Sequence, residues 1–209
     1  GVTVQEHDNV YDITLGTGQA LVQGNTSNTL SVQPGQVDKS QYSVQINYAQ
    51  SKSDVTSVIS GGKIGGLLRY RDDVLAPAMN DLGRTAIVVA DAINKQLGQG
   101  LDANGEFGSS LFNNINSEKA ITQRSLAATG NSAGSSNLNV SISDSSQLTT
   151  YDYKVTFTSA TEYTVQRSDG QDAKGPFKLG DKQEIDGFTL QLPQGGAVAA
   201  GDSFKVSPT

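Results

Sequence analysis

The stretch Gly61–Gly83, GGKIGGLLRYRDDVLAPAMNDLG, makes two conflicting demands on its backbone. Its apolar residues are spaced for a helix, yet it opens on four glycines within six residues and carries Pro77 further in. Counting on from Leu75, the apolar positions are Leu75, Met79, Leu82, Ala86, Val89, Ile93 and Leu97. Steps of four and three alternate until a last step of four, which is the seam of a bundle or coiled-coil helix. Ile64 and Leu68 extend it backwards, with Arg71 intruding. Gly98 stands where a glycine would end the helix. Pro77 has no amide to donate and crowds the carbonyl four residues back, although it suits the first turn of a new helix. The spacing therefore predicts a kinked helix or a pair of helices. The glycines fall into two pairs, Gly61 with Gly65 and Gly62 with Gly66, each pair sharing a helix face. An interior glycine costs about 1 kcal/mol relative to alanine, which a helix tolerates where another backbone comes close. The plainer alternative makes Ser60–Gly62 a frayed lead-in, with only Gly65 and Gly66 helical.

Working outward, the chain changes period on both sides. From Val2 to Tyr48 it alternates in short runs (VTVQ, VYDITLG, QALVQG, TLSVQP, YSVQINYA), broken by the turn-rich TG, GNTSN and PGQVDKS. That is a meander of small strands. After the glycine-punctuated GQGLDANGEFGSS, alternation returns in LNVSIS, YKVTFT, EYTVQRS, FTLQL and SFKV. Asp169-Gly170 and Asp186-Gly187 supply tight-turn chemistry between those runs. ATGNSAGSSN, Ala128–Asn137, reads as a linker or an exposed loop. The expected fold class is α+β, mostly β. One central helical segment, kinked or split, lies between an N-terminal β-meander and a C-terminal β domain. The expected division is residues 1–119, meander plus helical segment, and 120–209, an outward-facing β-rich domain.

Composition narrows the function classes. A formal net charge of −6, with no basic run, argues against phosphate-backbone binding. The absence of cysteine rules out disulfides and thiolate metal sites. No run approaches the length of apolar sequence that spans a bilayer, and no charged n-region precedes an apolar core. A start at Gly1 and an end at KVSPT without a helix cap read as an internal piece of a longer protein.

Candidate chemistry is sparse. GNSAG, Gly130–Gly134, matches G-x-S-x-G around Ser132, but that pattern needs a strand before it and a helix after it. Here it sits in a Gly/Ser/Asn-rich loop followed by the strand-like LNVSIS, and His7, the single histidine, lies among polar neighbours. Asp102, Asn104 and Glu106 echo the start of a calcium loop. Phe107 and Asn113 stand where that loop requires glycine and glutamate, so an Asn-Gly turn is the better account. Asp72 and Asp73 are adjacent on a helix and point apart. The charged group Arg69, Arg71, Asp72 and Asp73 reads equally as a solvated stripe or a subunit-facing one. Tyr151, Tyr153 and Tyr163 read as sheet packing rather than a sugar platform. No catalytic, cofactor-binding or metal-binding residue is expected, and no enzyme activity.

GGKIGGLLRYRDDVLAPAMNDLGRTA followed by ADAINKQLGQGLDANGEFG resembles the core signature of the bacterial flagellar hook-associated protein 1 family. VTVQ and VYDITLGTGQALVQGNTSNTL resemble the β-meander before that signature, and AGDSFKVSPT a returning strand. The resemblance is firmest from Gly61 to Gly108 and loosest from Ser117 to Gly196. It implies a non-catalytic structural subunit of the bacterial flagellum, joining hook to filament in motility. The implied partners are other copies of itself in a ring, the hook protein and the second junction protein, with no nucleic acid and no membrane. The implied location is the extracellular flagellum, reached by the flagellar type III system without a cleaved signal. The family's terminal heptad helices are not in this sequence. Leu75, Leu82, Val89 and Ile93 would pack on them, and a charge at Leu82 is expected to disturb the chain. The competing readings are a surface adhesion or ligand-binding β module, a peptidoglycan-cleaving enzyme, or another flagellar axial protein such as the second junction protein or flagellin.

Overall fold

The structure is a computed structural model and describes residues 1–7, 10–35, 38–132 and 135–209. It divides into two compact units, Gly1–Ala76 and Pro77–Thr209, which are taken in turn.

In the first unit the alternating runs form antiparallel strands. β1 (Val2–His7), β2 (Val10–Leu15), β3 (Gln19–Gln23) and β4 (Thr26–Ser27) make a meander in sequence order. Pairing of Val4 with Ile13, and of Ile13 with Val22, puts the apolar residues of three strands on one face. β5 (Thr29–Pro34), β6 (Tyr42–Asn47) and β7 (Lys52–Asp54) form a second antiparallel sheet. Leu15, Val44, Ile46 and Val55 are the buried centre of this unit, with Leu21, Tyr48, Val58 and Ile59 packed around them.

Helix α1 (Gly62–Arg69) passes without a break into a π-helical stretch, Tyr70–Leu75, and then into α2 (Ala76–Gln99). The glycines of its first turn divide the work. Gly62 takes φ +68°, and Gly65 is buried, where a Cβ would stand 2.7 Å from the carbonyl carbon of Ser60. Close backbone approach is thus real at Gly65, and the approaching segment is the helix's own lead-in, Ile59 and Ser60. A Cβ at Gly66 would meet nothing within 4 Å. The helix neither breaks nor restarts at Pro77. The Ala76 amide donates to the carbonyl of Arg71, five residues back, so the turn ahead of the proline is widened. Gly98 lies inside α2 rather than beyond its end, and the Gly100 amide closes the last turn on Leu97 O at 3.0 Å.

In the second unit a short helix α3 (Glu118–Gln123) leads into β8 (Ser125–Ala127). β9 (Asn139–Ile142), β10 (Tyr153–Phe157), β11 (Glu162–Arg167), β12 (Lys174–Lys178), β13 (Phe188–Gln191) and β14 (Ser203–Val206) complete it. Five strands run in the order β12-β11-β10-β14-β8, and β13 pairs with β9. Period-two alternation sends Tyr153, Val155, Phe157, Tyr163, Val165, Phe204 and Val206 of the larger sheet into one core with Val140, Ile142, Phe188 and Leu190 of the smaller. Phe157 meets Phe204 edge-on at 5.7 Å, and Tyr153 meets Phe188 at 4.9 Å. Asp186 (φ 43°) and Gly187 (φ 86°) make the two-residue turn that the pair predicts, with reciprocal bonds between Ile185 and Phe188. β12 escapes a pattern search because Gly175 and Pro176 interrupt it; at a sheet edge the missing proline amide is tolerated.

Candidate assembly face

Helix α2 carries two faces, and the polar one faces the β domain of its own unit. Asn80, Gly83, Ile87, Asp91 and Asn94 recur at steps of three and four, so they share a side of the helix. The Asn80 amide donates to Thr150 O and to Asp152 Oδ1, each at 3.0 Å. At Gly83 the backbone of Thr209 comes close enough that a Cβ would lie 2.9 Å from its carbonyl carbon. Ile87 packs against the large core. Asp91 accepts the Ser145 hydroxyl at 2.5 Å and the Lys95 ammonium at 2.8 Å. Burial alone would raise the Asp91 carboxyl; hydrogen bonds from Lys95 and Ser145 outweigh it and hold the group below the ordinary aspartate value. Asn94 accepts from the amides of Leu111 and Phe112 at 2.9 and 3.0 Å and donates to Phe112 O at 2.9 Å. One side chain thereby fixes the long loop after the helix.

About a third of a turn round the helix from this row runs the apolar seam. Leu75, Met79, Leu82, Val89 and Leu97 are 44%, 65%, 73%, 47% and 38% exposed, and Ala86 is exposed beside them. Ile93 alone of the seam is half-buried. The apolar exposure continues along α1 and the π-turn in Ile64, Leu67, Tyr70 and Val74, and after α2 in Leu101, Phe107, Leu111 and Phe112. Scattered exposed apolar residues are ordinary, but a row at heptad-like spacing marks an interaction surface. Leu82 has little to lose in this chain, so the expectation that a charge there disturbs it is revised.

The other sequence candidates resolve into structural roles. Asp102 closes a turn, accepting the amides of Asn104 at 2.7 Å and Glu106 at 2.9 Å, while Gly105 takes φ +85°. Those backbone bonds lower the Asp102 carboxyl. Asp72 is paired with its neighbour Arg71 at 2.6 Å. Tyr153 and Tyr163 lie in the core, and Tyr151 lies under the Arg167 guanidinium at 4.7 Å. His7 Nδ1 rests against Glu6 O at 3.0 Å. Of GNSAG, positions 133 and 134 lie outside the described residues. Ser132 donates its hydroxyl and its amide to the Asp202 carboxylate, each at 2.7 Å, and Asn131 exchanges bonds with Ser203 in both directions. The described part of Ala128–Asn137 is therefore tied to the start of β14. Among the described residues, no group of three or more His, Cys, Asp or Glu is placed to hold a metal ion, and no helix is long and apolar enough to cross a membrane.

A β-rich unit whose long helix leaves an apolar seam exposed has the form of a structural subunit that packs against a further helix. Comparison with known proteins makes this particular. Residues 1–112 match the flagellar hook-associated protein FlgK helical domain, and residues 126–208 match the D2-like domain of flagellar hook-associated protein 1. The chain belongs to the flagellar hook-associated protein 1 family. It is 31% identical to flagellar hook-associated protein 1 of Salmonella typhimurium over 213 residues, and 30% identical to that of Escherichia coli over 221. All of this chain is covered in both cases, and 37% of each relative. The structure of the flagellar hook junction protein FlgK from Burkholderia pseudomallei aligns with the whole chain at a TM-score of 0.83 and 31% identity, using 38% of that protein. The chain thus spans little more than a third of the length of the relatives it matches.

Proposed function

We propose that this chain is the part of a hook–filament junction subunit that presents an apolar helix face to the rest of that subunit. The role is structural and non-catalytic. The observation that carries it is the exposed seam from Leu75 to Leu97 on a helix otherwise locked to its β domain. Complete cover of the five exposed side chains is worth about 4–8 kcal/mol, at about 1.5–3 kcal/mol per fully buried side chain scaled by exposure. Association of two free molecules costs an estimated ~4–15 kcal/mol, so the seam alone holds a second copy weakly. A segment of the same polypeptide escapes most of that cost because it is tethered. The occupant is therefore a helix from the portion of the subunit outside the matched third. The further partners proposed are copies of itself in a ring, the hook protein and the second junction protein. The proposed site is the extracellular flagellum, reached by type III export. The proposed domain division at residue 119/120 is supported by family matches ending at 112 and resuming at 126, whereas by compactness α2 belongs with the β-rich unit Pro77–Thr209.

The test is a chimera in which this chain replaces the matched segment of the Escherichia coli relative, in a strain lacking that relative. Filament growth and swimming are expected from the chimera and lost on adding Leu82→Asp with Val89→Asp, although export continues. An exported, folded chimera that builds no filament would count against the junction role. Unimpaired swimming by the double variant would remove the seam from it.

A further inference from the structure

We propose that Asp72–Met79 is a flexural joint in the helix, about which the two units reorient. A continuous α-helix resists bending because each turn is closed by bonds to the carbonyl four residues back. Two consecutive closures are altered here. The Ala76 amide reaches Arg71 O, five residues back, and Pro77 offers no amide to Asp73 O. Sharp bends in helices concentrate at such places.

The anchors on either side define the joint's length. Arg71 donates its Nη1 to Tyr42 O of the first unit at 3.1 Å, with its fork held by Asp72 at 2.6 and 3.1 Å. Asn80 is bonded to Thr150 and Asp152 of the second unit. Between these ties Asp72, Asp73, Val74, Leu75, Ala78 and Met79 are exposed, with Ala76 and Pro77 half-buried. The division between the two compact units falls inside the same stretch, at Ala76/Pro77. Downstream, the helix is tied to its own domain at Asn80, Ile87, Asp91 and Asn94, so compliance is confined to the roughly two turns before Asn80.

The chain has no cysteine, so paired spin labels can be placed without background. Labels on Lys52→Cys and Lys182→Cys report the distance distribution between units by pulsed electron resonance. Labels on Lys95→Cys and Lys182→Cys serve as the control within the second unit. The wild-type inter-unit distribution is expected to be at least roughly twice as broad as the control. Pro77→Ala is expected to narrow it and to slow amide exchange at Ala78 and Met79, leaving the control unchanged. A wild-type distribution as narrow as the control overturns the joint. So does a folded Pro77→Ala protein, recognised by an unchanged control, whose distribution and exchange match wild type.

Discussion

Replacing Leu82 and Ile87 by alanine, one at a time, separates the two faces of α2 by their energetics. Hydropathy cannot distinguish the pair, since both are large aliphatics one and a half turns apart. The structure does. Truncating a fully buried isoleucine to alanine costs about 2–5 kcal/mol. Ile87 is packed against the large core but only partly buried, which scales its loss to about 1–3 kcal/mol. Leu82 is 73% exposed, so its change should stay within about 0.5 kcal/mol, with alanine recovering a small fraction in helix propensity. Hydrogen exchange followed by mass spectrometry reads this locally, in peptides covering β10 and β14. Where exchange there proceeds through unfolding of the domain, Ile87→Ala should accelerate it about 5- to 150-fold. Leu82→Ala should leave it near wild type. Equal acceleration by both would refute the assignment of faces, and a larger effect at Leu82 would invert it.

Other outcomes follow from single contacts. Asn94→Ala removes three bonds to Leu111 and Phe112, a local loss of about 1–2 kcal/mol; exchange at those two amides should rise several-fold while the melting of the β domain barely moves. Gly65→Ala should destabilise by roughly 1–3 kcal/mol because its Cβ meets the Ser60 backbone, whereas Gly66→Ala, with open space, should stabilise by up to about 1 kcal/mol; thermal melts compare them. Burial raises the Asp202 carboxyl, but bonds from the Ser132 amide, the Ala199 amide and the Ser132 hydroxyl outweigh it and lower it overall. A depressed carboxyl contributes stability above its unfolded value, about 3.9, and loses it as pH falls through the folded one. Asp202→Asn should therefore flatten the acid limb of stability below about pH 4, and an unchanged limb would argue against it.

Much of this arrangement is legible in the residues. The seam Leu75–Leu97, the period-two runs and the Asp186-Gly187 turn each announce their element because backbone geometry alone sets their spacing. What escapes has a physical reason in each case. β12 hides behind Gly175 and Pro176, acceptable only because nothing pairs with its outer edge among the described strands. The helix's passage through Pro77 is hidden because a π-turn is a rearrangement of carbonyl partners, with no residue signature of its own. Ala128–Asn137 has the composition of a linker, yet Asn131 and Ser132 are short polar side chains that also suit a loop stitched to Asp202 and Ser203, seventy residues away in sequence.

The deeper difficulty lies in α2 itself. Periodicity finds an apolar stripe but is silent on what the stripe touches, and a reader assumes it points to the nearest core. Here the nearest core is met by Asn80, Gly83, Ile87, Asp91 and Asn94, a row with one aliphatic in five. Polar side chains are poor glue for a general hydrophobic collapse, because each loses water and recovers it only with a partner in the right place. They do fix one orientation. Thr150, Asp152, Ser145 and Phe112 present those partners, and a rotation of the helix by a third of a turn would strand several of them at once. The apolar face is thereby kept out of its own domain's core. An exposed seam on a domain with its own core is the feature that the proposed packing of a further helix would use.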